Sequence, residues 1–420
     1  MTVVTDPRSA APLEEPAEAR SRTRRYLVWF AAAFALVAAV RVVTGADDIS
    51  SAGALRAALI AAIPIALAGL GGLWSERAGV VNIGLEGMML MGCLGAGVFT
   101  YHYGILAGIL GAIMFGAVGG ALHALTTVVF GVDHIVSGVG INIAALGITG
   151  FLAEVFFAGL PGGGRTQSPS LSRPPALTIE PIADAAADIA GKGWFLISDI
   201  AAVVVVLTRN LSVLTILALL LVVFTGWLLW RSPFGLRLRS CGENPSAAES
   251  LGVNVYRMKF IAVTVSGCMA GLAGAFLVLV SSSGYQNNMT GGLGYIGLAA
   301  MIFGNWRPAG LMIGASLFGY TRAVELRGGA DSLHALLLLI AIVLVVMAVF
   351  QLRAAHTRKG IVYAVIAAGF LAWFLLTDSV APDFGSAAPY VTTLAVLAFA
   401  SQNLRMPAAN GLVYRRGSVG

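Results

Sequence analysis

The sequence predicts an all-α, polytopic inner-membrane bundle, and three observations lead there. Hydrophobic residues make up 58% of the 420, and charged residues only 11%, against roughly a quarter in an average soluble domain. Mean hydropathy is +0.86. So much apolar surface does not fit inside one soluble core, which excludes a soluble enzyme. The apolar stretches are also continuous rather than alternating, which selects helices over a β-barrel. Glycine is abundant, at 52 residues, as it is in membrane helices. The length accommodates about 9–12 spans of about 20 residues each.

Residues 1–25 are polar and contain proline, and they end in Arg20, Arg22, Arg24 and Arg25. They are expected to form a disordered, basic cytoplasmic tail before an uncleaved first span. Apolar runs follow at about 26–44, 53–74, 79–100, 104–130, 134–158, 205–230, 260–281, 293–304, 309–324, 333–352, 361–377 and 388–403. They give about 10–12 transmembrane segments in one domain over 26–405, with a tail over 406–420. The 293–304 run is short and pairs naturally with 309–324 as a re-entrant or broken helix. With the N-terminus inside, alternation puts 18 of the 26 Lys and Arg in cytoplasmic segments. The positive-inside rule therefore expects both termini in the cytoplasm.

Two connections stand out. Residues 159–199 are long and extracytoplasmic on this parity, and they open on Pro161-Gly-Gly-Gly164. Their composition suits a flexible connector or a docking surface for an external partner. Residues 231–259 are cytoplasmic and carry a helix signature. Asn244 is a good N-cap, Pro245 fits the first helical position and Gly252 sits where a C′ glycine belongs. Ala247, Ala248 and Leu251 form one apolar face on a helix too short to stand alone. That face has to be buried, either on the chain's own bundle or in another protein.

Ile83-Gly-Leu-Glu-Gly-Met88 recurs as Ile296-Gly-Leu-Ala-Ala-Met301. On the assigned parity the first copy runs outward and the second inward. This is the pattern of an inverted-topology repeat, which in transporters places the substrate path at the repeat interface.

The candidate path residues are the polar ones at membrane depth. Glu86 lies nine residues beyond Arg77, which is about 13 Å at about 1.5 Å per residue and near the middle of a core about 30 Å thick. Asn82 is one helical turn before it, and Asn142 reaches a similar depth from His134. Buried ionisable groups are costly and line a cavity or a partner. A helix–helix hydrogen bond from Glu86 to Asn142 or to a serine is the alternative. Tyr295 occupies the position of Asn82 in the second copy. Facing Asn and Glu, it can stack on a flat ring whose edge they bond, as a nucleobase requires; interhelical packing is its other reading. Gln286 and Asn287 sit at the expected outer mouth, as solute-greeting groups or plain loop.

Several chemistries are absent from the sequence. A P-loop needs Gly-Lys followed by Ser or Thr; Lys192 is followed by Gly193, and Lys259 and Lys359 do not follow Gly. No H-E-x-x-H occurs among the five histidines. The three cysteines, Cys93, Cys241 and Cys268, have no metal or disulfide spacing. No basic face suggests a nucleic-acid polymer as partner. Charged pairs suited to a proton relay are scarce, which weakens an ion-coupled secondary transporter.

Ser75-Glu-Arg-Ala-Gly-Val-Val-Asn-Ile-Gly-Leu-Glu-Gly-Met-Met89 resembles the signature of permease subunits of bacterial ABC importers for nucleosides. So do Phe234-Gly-Leu-Arg-Leu-Arg239, Gly242-Glu-Asn-Pro-Ser-Ala-Ala248 and Gly252-Val-Asn-Val-Tyr256. Ser266-Gly-Cys-Met-Ala-Gly-Leu-Ala-Gly274 and the stretch from Gly294 to Pro308 complete the resemblance, which covers about residues 53–405. Related sugar permeases carry Asp-Leu-Ser where this chain has Asn82-Ile-Gly84, and a ribose or galactose permease is the runner-up. Branched-chain amino-acid permeases share the general pattern and differ in the coupling loop.

The resemblance implies a multi-helix bundle in the bacterial cytoplasmic membrane, in contact with lipid. It implies a cytoplasmic ABC ATPase that receives the 244–252 helix and itself binds ATP and Mg, so that this chain holds no cofactor. A second homologous permease and a lipid-anchored, extracytoplasmic nucleoside-binding protein complete the expected assembly. The long basic N-terminus and an extra helical pair around 353–360 depart from the family pattern.

Overall fold

The structure is a computed structural model and describes residues 32, 34–327, 330–380 and 404–416. The expected tail over 1–25, the start of the first apolar run and the whole 388–403 run lie outside the described residues. Helix α1 (Phe34–Thr44) leads to α2 (Ala52–Arg77), whose first turn is capped by Ser51 accepting from the amide of Ala54 at 3.1 Å. Next come α3 (Leu85–Tyr103), α4 (Ile105–Ala124, continued by a π-turn over Leu125–Val129) and α5 (His134–Phe157). The aspartate before α5, Asp133, caps the amides of Ile135 and Val136.

The long connection expected over 159–199 is ordered. Strand β1 (Ala176–Leu177) pairs antiparallel with β2 (Leu211–Ser212), and between them lie α6 (Glu180–Ala190) and α7 (Ile197–Thr208). Ahead of β1, the chain from Thr166 to Leu171 straps onto Ser283–Asn287 through four backbone-anchored hydrogen bonds, among them Asn287 N to Thr166 O at 2.7 Å. The flexible-connector reading is therefore replaced by a strap and a helix pair. The apolar run expected at 205–230 is likewise two helices, α7 and α8 (Val213–Arg231), with a break at Arg209–Ser212 where the strand pairs.

After α8 come α9 (Pro233–Glu243), α10 (Pro245–Ser250) and α11 (Val255–Phe276, continued by a π-turn over Leu277–Ser282). Helices α12 (Leu293–Phe303), α13 (Pro308–Arg327), α14 (Ala330–Arg353) and α15 (Thr357–Leu376) complete the bundle. Among the described residues, seven helices are long and apolar enough to cross a membrane, fewer than the ten to twelve segments expected. Part of the difference is the runs that lie outside the described residues, and part has a physical origin. The 79–100 run opens with six non-helical residues, 79–84, and α12 has only 11 residues. These are broken helices enclosed by protein, where irregular backbone is tolerated. Helix α13, of 20 residues, folds back on α12 across the tight turn, with Gly310 on Gly304 and Gly314 on Ala300.

The inverted repeat is visible in how the helices pack. Gly69 of α2 lies against Gly297 of α12, and Gly72 against Met301, so the two helices run parallel. Gly92 of α3 lies against Gly271 of α11, and Gly97 against Tyr285, so these two also run parallel. Leu311 of α13 meets Gly69, while Gly319 meets Ala58, so α13 is antiparallel to α2. Helix α4 is antiparallel to α11 in the same manner, through Gly116 on Gly271 and Gly120 on Val263. Exchanging α2, α3 and α4 for α11, α12 and α13 maps these four pairings onto one another, parallel on parallel and antiparallel on antiparallel. Small residues make this possible: a methyl on Gly271 would stand 2.2 Å from the carbonyl oxygen of Ala112. Helices α2 and α11 form the centre, with 78% and 72% of their apolar windows buried, against 11% for α15 at the rim.

Candidate functional site

The two broken helices begin at the same place. Glu86 lies in the first turn of α3 and is 7% exposed. Its Oε1 accepts from the hydroxyl of Thr290 at 2.6 Å and from the amide of Gly292 at 2.8 Å, and its Oε2 accepts from the amide of Gly294 at 2.7 Å. The carboxylate of the first repeat thus caps the N-terminus of the short helix of the second. A methyl on Gly294 would stand 2.7 Å from the Glu86 backbone, so only glycine permits this approach.

Asn142 of α5 does the same for α3. Its Oδ1 accepts from the amide of Gly87 at 2.7 Å, and its Nδ2 donates to the carbonyl of Ile83 and to the hydroxyl of Tyr295, both at 2.9 Å. Glu86, Asn142 and Tyr295 are therefore brought together, and in place of the alternative bond from Glu86 to Asn142 or a serine stand these links through α12 and Gly87. Tyr295 remains 47% exposed beside them.

Asn82 does not join this cluster. The rise from Arg77 assumed a continuous helix, but residues 78–84 are not helical, and Asn82 turns toward α11. There it is fully buried and donates to the hydroxyl of Ser266 at 2.8 Å. Gln286 and Asn287 are exposed and belong to the strap, with Gln286 bridged to Gln167.

At the other end of the bundle, α10 forms as its capping residues require. Asn244 accepts from the amide of Ala247 at 2.9 Å, Pro245 opens the helix, and Gly252 has φ +82°. Its apolar face is split, however. Ala248 is buried against Cys241 and Val255 on the chain's own bundle, whereas Ala247 and Leu251 point away, Leu251 being 84% exposed. The helix is seated by one methyl and offers the rest outward. Burial pushes the neighbouring Cys241 thiol up to about 11, so it stays protonated.

Sequence reasoning missed a second cluster. Glu76, at the end of α2, accepts from the indole of Trp306 at 2.6 Å and from the Asn410 side chain at 2.9 Å. Arg77 donates twice to the Trp306 carbonyl, at 3.0 and 2.7 Å. Asn305 and Trp306 adopt left-handed φ angles of 54° and 52° in the tight turn between α12 and α13. The node therefore pins the end of α2 to that turn, and residues 404–416 hold it.

Those residues were expected to be a plain tail from 406 onward. In the structure the Ala409 amide bonds the Gly242 carbonyl at 2.8 Å. The Tyr414 hydroxyl donates to Glu249 of α10, and Arg416 pairs with the same carboxylate at 3.0 Å. Partial burial, the bond to Glu249 and that carboxylate's charge push the Tyr414 phenol up to about 12, which keeps it a donor. A cavity of about 370 Å³ lies between Glu249, Asn254, Tyr256, Tyr414 and Arg416. The only sequence signals for these features were Thr290-Gly-Gly-Leu-Gly294 ahead of the second copy and an Asn in an otherwise plain terminus.

Two units of broken helices meeting inside a multi-pass bundle define the class: a membrane permease. The chain belongs to the family described as the permease component of branched-chain amino acid transport systems, whose pattern matches residues 54–348. The guanosine ABC transporter permease NupQ of Bacillus subtilis is 35% identical over 279 residues, 65% of this chain and 81% of that protein. The nucleoside ABC transporter permease NupC of Lactococcus lactis subsp. cremoris is 35% identical over 286 residues, 64% of this chain and 81% of that protein. TsgC13 of Haloferax volcanii, provisionally named a glucose ABC transporter permease, is 33% identical over 378 residues, 87% of this chain and 98% of that protein. No solved structure gives a significant match.

Proposed function

We propose that this chain is the membrane-spanning subunit of an ATP-driven importer whose cargo is an uncharged nucleoside. One observation carries the reading. The N-termini of α3 and α12 meet at the repeat interface, and helix N-termini attract anions through their free amides and dipoles. Here Glu86 already occupies that position and bonds both amides at the start of α12. The protein supplies its own anion, so the path makes no demand for a cargo carboxylate or phosphate. That argues against amino acids and for neutral solutes. The half-exposed Tyr295 ring, steadied by Asn142, offers a flat face on which a base can stack. The names of NupQ and NupC favour a nucleoside.

In this proposal the α10 end faces a bacterial cytoplasm, with both termini on that side. A partner ABC ATPase, which binds the ATP and Mg, docks on Ala247 and Leu251. A second permease completes the pore, and an external binding protein delivers the nucleoside near the strap. Closure of the ATPases moves α10, and the bundle alternates its opening. Residues 404–416 tie α10 to the Glu76–Trp306 node, which supports them as a link between the drive and the second repeat.

The test is radiolabelled uptake in cells lacking the gene, with uridine, guanosine and adenosine against ribose, galactose and leucine. Loss of nucleoside uptake, restored by the wild-type chain but not by a 244–252 deletion, is the expected result. Selective loss of leucine uptake would sink the neutral-cargo argument. A sugar is the second reading, favoured by the nearly full-length similarity to TsgC13. Loss of ribose or galactose uptake alone would select it.

A further inference from the structure

A second site lies on the outer wall of the bundle, remote from the repeat interface. Helices α8 and α13 diverge to leave a groove of about 930 Å³, at the upper end of the usual size for small-molecule sites. Gly226 opens it: the nearest atoms to a methyl there would be those of Pro308, at 3.8 and 4.0 Å. Its walls are apolar, with Val223 and Trp227 on one side and Met312 and Ile313 on the other.

The mouth of the groove is of opposite character. Arg231 and Arg307 line it, and both are exposed. A contiguous cavity of about 290 Å³ shares Trp230 and Arg307 with the groove and adds Arg77, Arg239 and Arg405. The only acid lining either space is Glu243, which lies 3.8 Å from Arg77. Arg77 and Arg239 both lie over the Trp230 ring, at 5.2 and 5.5 Å. Among the described residues, no carboxylate pairs with Arg231, Arg307 or Arg405. The two adjoining spaces are thus lined by five arginines against one acid, at one end of α8 and α13.

We propose that this groove holds one anionic phospholipid. Its phosphate sits between Arg231 and Arg307, and an acyl chain lies along Trp227, Met312 and Ile313. A positive mouth calls for an anion, and an apolar groove inside the membrane calls for a hydrocarbon chain. A phospholipid with net negative charge joins the two at the interface depth where these tryptophans sit. Basic pockets between membrane helices at the cytoplasmic side recognise such headgroups.

Native mass spectrometry tests this on the full-length chain, extracted from nanodiscs of equimolar phosphatidylglycerol and phosphatidylcholine. The expected result is one retained phosphatidylglycerol. In the Arg231→Gln/Arg307→Gln variant the preference falls by about 25-fold, about five-fold for each arginine. Gly226→Leu, which fills the groove, lowers retention of both lipids. Equal retention of the two lipids by the wild type, or an unchanged preference in the double variant, overturns the proposal. So does efficient cross-linking of two Ile313→Cys chains in vesicles, because a second protein would then cover this face. If the double variant does not fold, delipidated wild type titrated with phosphatidylglycerol decides: saturation at one lipid supports the site, and unsaturable uptake refutes it.

Discussion

Replacing Glu86 should loosen the start of α12 before it disturbs anything else. Three donors converge on this carboxylate, from Thr290, Gly292 and Gly294. In Glu86→Ala the Thr290 hydroxyl can rotate to another acceptor, but the two backbone amides cannot. Each buried donor left without a partner costs about 1–3 kcal/mol, so the variant should lose about 2–6 kcal/mol locally. Glu86→Gln is milder. Its carbonyl replaces Oε1 and keeps Thr290 and Gly292, while its NH2 faces the Gly294 amide, donor against donor. One orphaned amide predicts a loss of about 1–3 kcal/mol. The assay is hydrogen exchange in detergent micelles, read at peptides spanning 289–295. A tenfold change corresponds to about 1.4 kcal/mol, so protection should fall by about 10- to 100-fold in the Gln variant and further in the Ala variant. Peptides from α14 and α15 serve as the internal control. Uptake should fall in the same order. Unchanged protection at 289–295 in Glu86→Ala would refute the capping argument, whatever the effect on transport.

Other perturbations separate the remaining elements. Leu251→Asp should leave thermal stability unchanged, because Leu251 is 84% exposed, yet abolish ATP-dependent uptake and co-purification of the ATPase; retained uptake would remove α10 from the coupling role. Ala248→Glu, at a position 2% exposed, should instead destabilise the chain measurably. Gly271→Ala places a methyl 2.2 Å from the Ala112 carbonyl and should cost about 1–3 kcal/mol or more by overpacking, whereas Gly147→Ala, with nothing within 4 Å, should be tolerated in the same melting assay. Asn410→Ala removes one bond to Glu76, about 1 kcal/mol, and should lower the uptake driven per ATP while leaving cargo binding intact. The Tyr414 contact to Glu249 has its own pH signature: the raised phenol pKa means the contact is present below about 10 and lost as pH rises through about 12. Proteolysis at Arg415 and Arg416 should therefore be flat from pH 6 to 9; a rise within that range would contradict it.

Much of this protein is written into local sequence. Continuous apolar runs set the class and the approximate place of most helices, because in a membrane a helix satisfies every backbone group within its own segment. Helix α10 was legible for the same reason: Asn244, Pro245 and Gly252 act on the backbone beside them. The repeat was readable as a recurrence of residues, although the two copies pack differently: Met301 lies on Gly72 of α2, and its counterpart Met88 on Gly119 of α4.

Long-range contacts decided the rest. The local sign that the chain at 78–84 is not helical is Gly79, at φ +84° just past the end of α2; where Asn82 then turns is set by α11, whose Ser266 it meets. Nothing near Glu86 shows that its partners are amides some 200 residues away, because a helix start is completed by whichever acceptor the fold brings to it. The segment 404–416 looked passive for the same reason, and its contacts are with Glu76, Gly242 and Glu249. Local sequence chooses helix, cap and turn through forces acting over one or two turns. Which of those elements meet is settled only when the glycine faces close and exclude every other arrangement.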